Sequence, residues 1–154
     1  MEDMKQVKII TAQEAAQLVK DGDVVTTNGF VGSGQPEALT SALEERFLNT
    51  GSPRDLTLIY AASQGNTDGR GGDHFAHEGM LKKAILGHWN AVTALQKLVN
   101  ENKIQAYNLP QGTLSQYFRD VAAHRLGTIT HVGLDTFADP RISGGRLNDV
   151  TKED

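Results

Sequence analysis

The stretch DGDVVTTNGFVGSGQPEAL, residues 21–39, carries residues whose types and spacing suit ligand chemistry. Gly29, Gly32 and Gly34 permit positive φ and close backbone approach, and Pro36 begins a helix whose first amides can face a phosphate, a carboxylate or an oxyanion. The dinucleotide fingerprint G-x-G-x-x-G is not met. Glu37 stands where the third glycine belongs, and its carboxylate would repel a pyrophosphate. A tight strand-to-helix turn without any ligand satisfies the same glycines. Ser63 beside Gln64 lacks the G-x-S-x-G elbow of a serine hydrolase. His74, His77 and Glu78 in HFAHE fit neither H-E-x-x-H nor H-x-x-E-H and show no third ligand, so no metal is expected and helix-start polarity beside a glycine loop is the simpler reading. His88 with Trp89 reads as packing before a helix.

These residues need a scaffold, and the chain alternates between two periods. Thr11 and Glu14 have the N-cap and N3 spacing of a capping box, followed by an apolar stripe at Ala12, Ala15, Ala16 and Val19. Strands are predicted at 24–29, 55–61, 82–89, 103–109 and 127–134. Helices are predicted from Pro36 to a stop at Gly51, with Leu39, Ala42, Leu43 and Phe47 on the buried face; briefly around 74–81; over 91–102, with Val92, Leu95 and Val99; and over 111–125, with Leu114, Tyr117, Phe118, Val121 and Ala122 facing the sheet. Residues 62–73 read as a polar, glycine-rich loop, and 135–154 have neither period.

Such alternation predicts a single α/β domain over 1–154: an open, mostly parallel, Rossmann-like sheet covered by helices on both faces. Ligands collect at the carboxyl ends of such strands, which singles out the loops 28–35, 62–73 and 108–112. The 154 residues contain no cysteine, which excludes thiolate nucleophiles and Cys-ligated metals and fits a reducing compartment. No stretch approaches the roughly 18 apolar residues of a membrane span, so a soluble, cytoplasmic protein is expected. A net charge of −4 with dispersed basic residues gives no phosphate-tracking surface, and nucleic acid is not an expected partner.

DGDVVTTNGFVGSGQPE resembles the N-terminal motif of the class I coenzyme A transferases through Asp21, Gly22, Gly29, Phe30, Gly34 and Pro36, with Asn28 in place of the first glycine of that family's Gly-Gly-Phe. YNLPQGTL resembles the family's Pro-Gln-Gly turn, and SQGNTDGRGGDHFAHEG, GHWN and DTFADPR with GGRLNDVTKED are similar to the propionate and acetate CoA-transferase branch. The resemblance implies CoA transfer between short-chain carboxylates by a ping-pong route through a glutamyl-CoA thioester. It also implies that the nucleophilic glutamate lies outside this chain, which would be the N-terminal portion of a longer enzyme and inactive alone.

The CoA thioester would be substrate, with no permanently bound cofactor. The expected partners are acyl-CoA, short-chain carboxylates, the C-terminal half of the same enzyme and further copies in a homo-oligomer. By the same resemblance Gln64 and Gln111 become amide donors to an acyl or anhydride oxygen, while Asn28, Gly29 and Phe30 line the acyl pocket. Losing one such donor corresponds to about 3–4 kcal/mol of transition-state stabilisation. Asp68, Arg70 and Asp73 suit the CoA tail, a neighbouring subunit or a solvated face. Two alternatives remain: a short, non-catalytic module that binds a small acid, an acyl-CoA or a protein, and a sugar-phosphate isomerase or lactonase, for which base and phosphate-binding cations are missing.

Overall fold

The Thr11 hydroxyl accepts from the Glu14 amide at 3.2 Å while the Glu14 carboxylate accepts from the Thr11 amide at 2.8 Å. This reciprocal box starts α1 (Ala12–Ala16) in the computed structural model, which describes residues 7–152. Met1–Gln6, Glu153 and Asp154 of the 1–154 span lie outside the described residues.

Four parallel strands follow in spatial order β1 (Val24–Thr26), β2 (Leu56–Tyr60), β3 (Leu81–Leu86) and β4 (Gln105–Asn108). They are connected by α2 (Glu37–Thr50), a 3-10 turn (Gly71–Phe75) and α3 (Thr93–Asn100), and α4 (Gln111–Ala122) comes after β4. The α/β class and the parallel sheet match the sequence reading. Coverage of the sheet differs from it.

Right-handed crossovers that always step to the next neighbour return to the same face. Accordingly the 3-10 turn touches α2 on one side and α3 on the other, making one row. Leu56, Leu58, Tyr60, Ala84, Leu86 and Ala106 form a core with Ala42, Leu43, Phe75, Leu95 and Val99 of that row. On the opposite face Val24, Thr57, Lys83, Ile85, Gln105 and Tyr107 are partly or wholly exposed, while Ile59 among them is buried.

Three expectations are corrected. No helix forms at 74–81, because residues 71–75 turn inward as a buried 3-10 turn and β3 begins at Leu81. No strand forms at 127–134: Leu126 and Ile129 are fully exposed, and the segment joins none of the four described strands. The stripe on α4 buries Leu114 but leaves Val121 half exposed, so it does not face the sheet. The segment without period supplies a structural surprise. Asn108 donates its amide to the Gly145 carbonyl at 2.8 Å and Leu147 donates to Ala106 at 3.0 Å, so residues 145–147 cover the outer edge of β4.

Candidate functional site

At the carboxyl end of β1 the glycine turn closes on itself. Phe30 and Ser33 exchange backbone hydrogen bonds at 2.9 and 3.0 Å. A Cβ on Gly29, whose φ is 146°, would stand 2.9 Å from the Gln35 amide nitrogen. The close approach demanded by this glycine is therefore to its own chain.

Val31 adopts a φ of 52°, a left-handed conformation that is unfavourable for a β-branched side chain and costs about 1–3 kcal/mol. Two bonds hold it there: its amide donates to the Ser63 carbonyl at 2.7 Å, and its carbonyl accepts from Gly65 at 3.0 Å. The first loop is thus fastened to the second.

Gln64 lies in that fastening, 2 % exposed, and donates its side-chain amide to the Thr27 carbonyl at 2.9 Å. It ties the end of β1 to the loop after β2 and faces no solvent. In this structure its role is a positioning one, with one N–H of the buried amide engaged by the backbone. Asn28 is exposed on the rim, and Phe30 is 65 % exposed. An apolar cleft between α1, β1 and α2 is lined by Val19, Val25, Thr27, Pro36, Leu43 and Phe75, with Phe30 outside it. The ring projects from the turn toward solvent.

Beyond Gln64 the glycine-rich segment enters the core. Gly71 and Gly72 have no room for a side chain: a Cβ on Gly71 would meet Gln64 O at 2.5 Å, and one on Gly72 would meet Val92 at 2.8 Å. The turn they open holds two charged residues with different tasks. Asp73 Oδ1 accepts the amides of Ala94 and Leu95, both at 3.1 Å, and so caps α3 from 21 residues away, since Val92 at the N-cap provides no side-chain cap. Burial pushes the Asp73 carboxyl up, although these amides and His74 pull the other way. The placement excludes Asp73 from a solvated face or a CoA contact. Asp68 and Arg70 pair at 3.4 Å with both side chains in solvent.

His74 Nε2 stands 2.8 Å from Glu37 Oε1, and its Nδ1 stands 2.6 Å from Glu44 Oε2. His77 Nε2 stands 2.5 Å from Glu44 Oε1, its ring 6.0 Å from that of Phe47. Among the described residues no group of three or more His, Cys, Asp or Glu is placed to hold a metal ion. The histidines of HFAHE are hydrogen-bond partners of the α2 carboxylates.

The third loop lies across a narrow gap. A Cβ on Gly87 would stand 2.3 Å from Ala61 O and 2.9 Å from Gln111 Cα, so the ends of β2, β3 and the start of α4 converge there. Gln111 is exposed at the first position of α4, and Pro110 before it offers no side-chain cap. Its first-turn amides therefore face outward with partial positive charge. Asn108 Oδ1 and Thr113 Oγ1, on either side of Gln111, are buried with no hydrogen-bond partner among the described residues. Sequence reasoning passed over both. A polar residue at a strand end and a hydroxyl in the first helical turn were the available signals.

The resulting edge runs from the 28–35 turn through the buried Gln64 strap and the Gly87 gap to Gln111. The structure brings Asn28, Gly29, Phe30 and Gln64 together and sets Gln111 along the same sheet edge. It offers exposed backbone, an amide and an uncapped helix start, a set suited to holding a planar oxygen-bearing group such as a carboxylate or acyl carbonyl. Glu37 and Glu44, the carboxylates beside the turn, are engaged by histidines.

Residues 9–153 match the family model described as coenzyme A transferase. The chain is 42 % identical over 150 residues to an acetate CoA-transferase of Escherichia coli K12, covering 96 % of this chain and 28 % of that protein. It is 40 % identical over 147 residues to the caffeate CoA-transferase of Acetobacterium woodii, again with 96 % and 28 % coverage. The fold superposes with a TM-score of 0.90 and 41 % identity on the crystal structure of an acyl-CoA transferase of E. coli O157:H7 in a thioester complex with CoA, covering 94 % of this chain and 30 % of the other. The chain thus spans just over a quarter of the length of these relatives.

Proposed function

Since this chain belongs to the coenzyme A transferase family, we propose that it is the N-terminal α/β portion of a short-chain acyl-CoA:carboxylate CoA-transferase. The observation that carries this reading is the 42 % identity to an acetate CoA-transferase across 96 % of the chain. Acetate and propionate are the proposed acids, and CoA thioesters the proposed donors. The reactive carboxylate is a glutamate from a part of the enzyme outside these residues, and the chain contributes the walls that receive the acyl group.

The strand-end geometry supports that division of labour. Gln111, the exposed amide at the start of α4, can donate to an acyl oxygen without adding charge, which suits a site whose attacking group is an anion. The Gly29 turn, closed on itself, and the buried Gln64 hold the opposite rim still. Leu126, Ile129, Val132 and Phe137 expose apolar surface, as expected of a body that packs against further protein. We take that protein to be the remainder of the same enzyme, assembled as a homo-oligomer in the cytoplasm.

Transfer of CoA from acetyl-CoA to propionate by the longer enzyme, and its absence in the isolated chain, is the test. Turnover by the chain alone would overturn the assignment of the nucleophile. In the longer enzyme Gln111→Ala should lower kcat/KM by about two to three orders of magnitude, and an unchanged rate would remove Gln111 from the site.

A further inference from the structure

His74 has a side chain 11 % exposed and a carboxylate on each ring nitrogen. Ionised carboxylates only accept, so both nitrogens must donate and the ring must be an imidazolium. Its first partner is itself occupied: Glu37 Oε2 accepts from the Gly71 amide at 3.1 Å and from Gln35 Nε2 at 3.3 Å. Gln35 is also the residue whose backbone lies closest over Gly29, its amide nitrogen 2.9 Å from where a Cβ would stand. A continuous line therefore runs from Glu44 through His74 and Glu37 to the glycine turn.

We propose that His74 is a positioning residue for the strand-end site, its cation clamping Glu37 so that this carboxylate holds the second loop at Gly71 and the first loop at Gln35. Its catalytic consequence rests on the CoA-transferase reading above, whereas the coupling itself does not. Loss of one ring proton leaves a lone pair facing a carboxylate, and either Glu37 or Glu44 must turn away.

The groups facing His74 are Glu37 and Glu44 from α2, Asp73 beside it on the turn, and His77 across Glu44. From α3 the turn receives the backbone amides of Ala94 and Leu95, while Lys97 projects into solvent beside Glu101. Burial works against the His74 charge, yet its hydrogen bonds to Glu37 and Glu44 prevail and raise its pKa. A raised folded value means that the clamp is complete below the ordinary histidine range and is lost as pH rises through the higher folded value.

The experiment is a 15N and 13C NMR titration of the chain across neutral pH, following the His74 ring and the amides of Gly71, Gln35 and Gly34. The expected result is a His74 midpoint above that of an unperturbed histidine, with the three amides shifting at the same midpoint. In H74Q that coupled shift should vanish, and Gly71 amide exchange should rise at least about tenfold, the equivalent of one charge-assisted hydrogen bond. Glu37→Gln should uncouple the amides while the ring still titrates.

Amides that stay fixed while His74 titrates would overturn the proposal, as would a ring that titrates below the ordinary value. Should H74Q not fold, the wild-type titration decides alone. An active longer enzyme without the coupling would count against His74 only, and a coupled chain whose longer form transfers no CoA would count against the functional reading only.

Discussion

Replacing Asp73 by alanine removes the acceptor that closes the start of α3. Asp73 is 5 % exposed, and its Oδ1 takes two amides, of which Ala94 can turn to water and Leu95, fully buried, cannot. Loss of an N-cap costs about 1 kcal/mol, and a buried amide left without a partner costs about 1–3 kcal/mol more. Together these give roughly 2–4 kcal/mol, or a drop in Tm of roughly 5–15 °C for a chain of this size. Asp73→Asn keeps an oxygen acceptor and removes a charge that burial disfavours, so it should retain most of the stability. Urea unfolding followed by circular dichroism measures both variants. An alanine variant within about 0.5 kcal/mol of wild type, below the loss of even one cap, would refute the assignment of Asp73 as the remote cap of α3.

Other outcomes follow from the same contacts. Gly65→Ala places a methyl group 2.5 Å from the Ala91 carbonyl at a φ of 154° and should destabilise by about 2–3 kcal/mol in urea unfolding, whereas Gly112→Ala in the open first turn of α4 should stabilise by about 0.5 kcal/mol. Gln64→Ala should raise hydrogen exchange selectively at residues 27–31 and lower stability by about 1–2 kcal/mol, since the Thr27 carbonyl loses its donor. For Glu44, burial opposes the charge but hydrogen bonds from His77 and His74 prevail and lower its pKa, so its contribution is present above the ordinary glutamate range and disappears as pH falls through the lower folded value. Glu44→Gln should accordingly flatten the acid limb of a stability-against-pH curve, and an unchanged limb would count against the contacts of Glu44 with His74 and His77.

Much of the scaffold was legible because it is local. The Thr11 and Glu14 box and the Val92, Leu95 and Val99 face of α3 depend on neighbours within a few turns, and both appear as the pattern implies. What escaped depends on distant partners. HFAHE looks like the polar start of a helix until Glu37 and Glu44 arrive from α2, and Asp73 looks like a loop carboxylate until the amides of α3 reach it. The alternation at 127–134 suits a strand, but that segment stays exposed at Leu126 and Ile129, and it is residues 145–147, which have no period, that pair with the edge of β4. At the site, the glycines of the first turn and Gln111 could be picked out. The inward aim of Gln64 could not, because its partner Thr27 belongs to a different strand end.

The most direct test of the account is where CoA becomes attached. Incubation of the longer enzyme with acetyl-CoA, which releases acetate as the glutamyl-CoA thioester forms, followed by trapping of that enzyme–CoA thioester and peptide mass spectrometry, should place CoA on a glutamate outside these 154 residues, leaving Glu37, Glu44 and the other glutamates of this chain unmodified. A CoA thioester on any glutamate within them would contradict the claim that this chain forms the walls of the site and another part supplies the nucleophile.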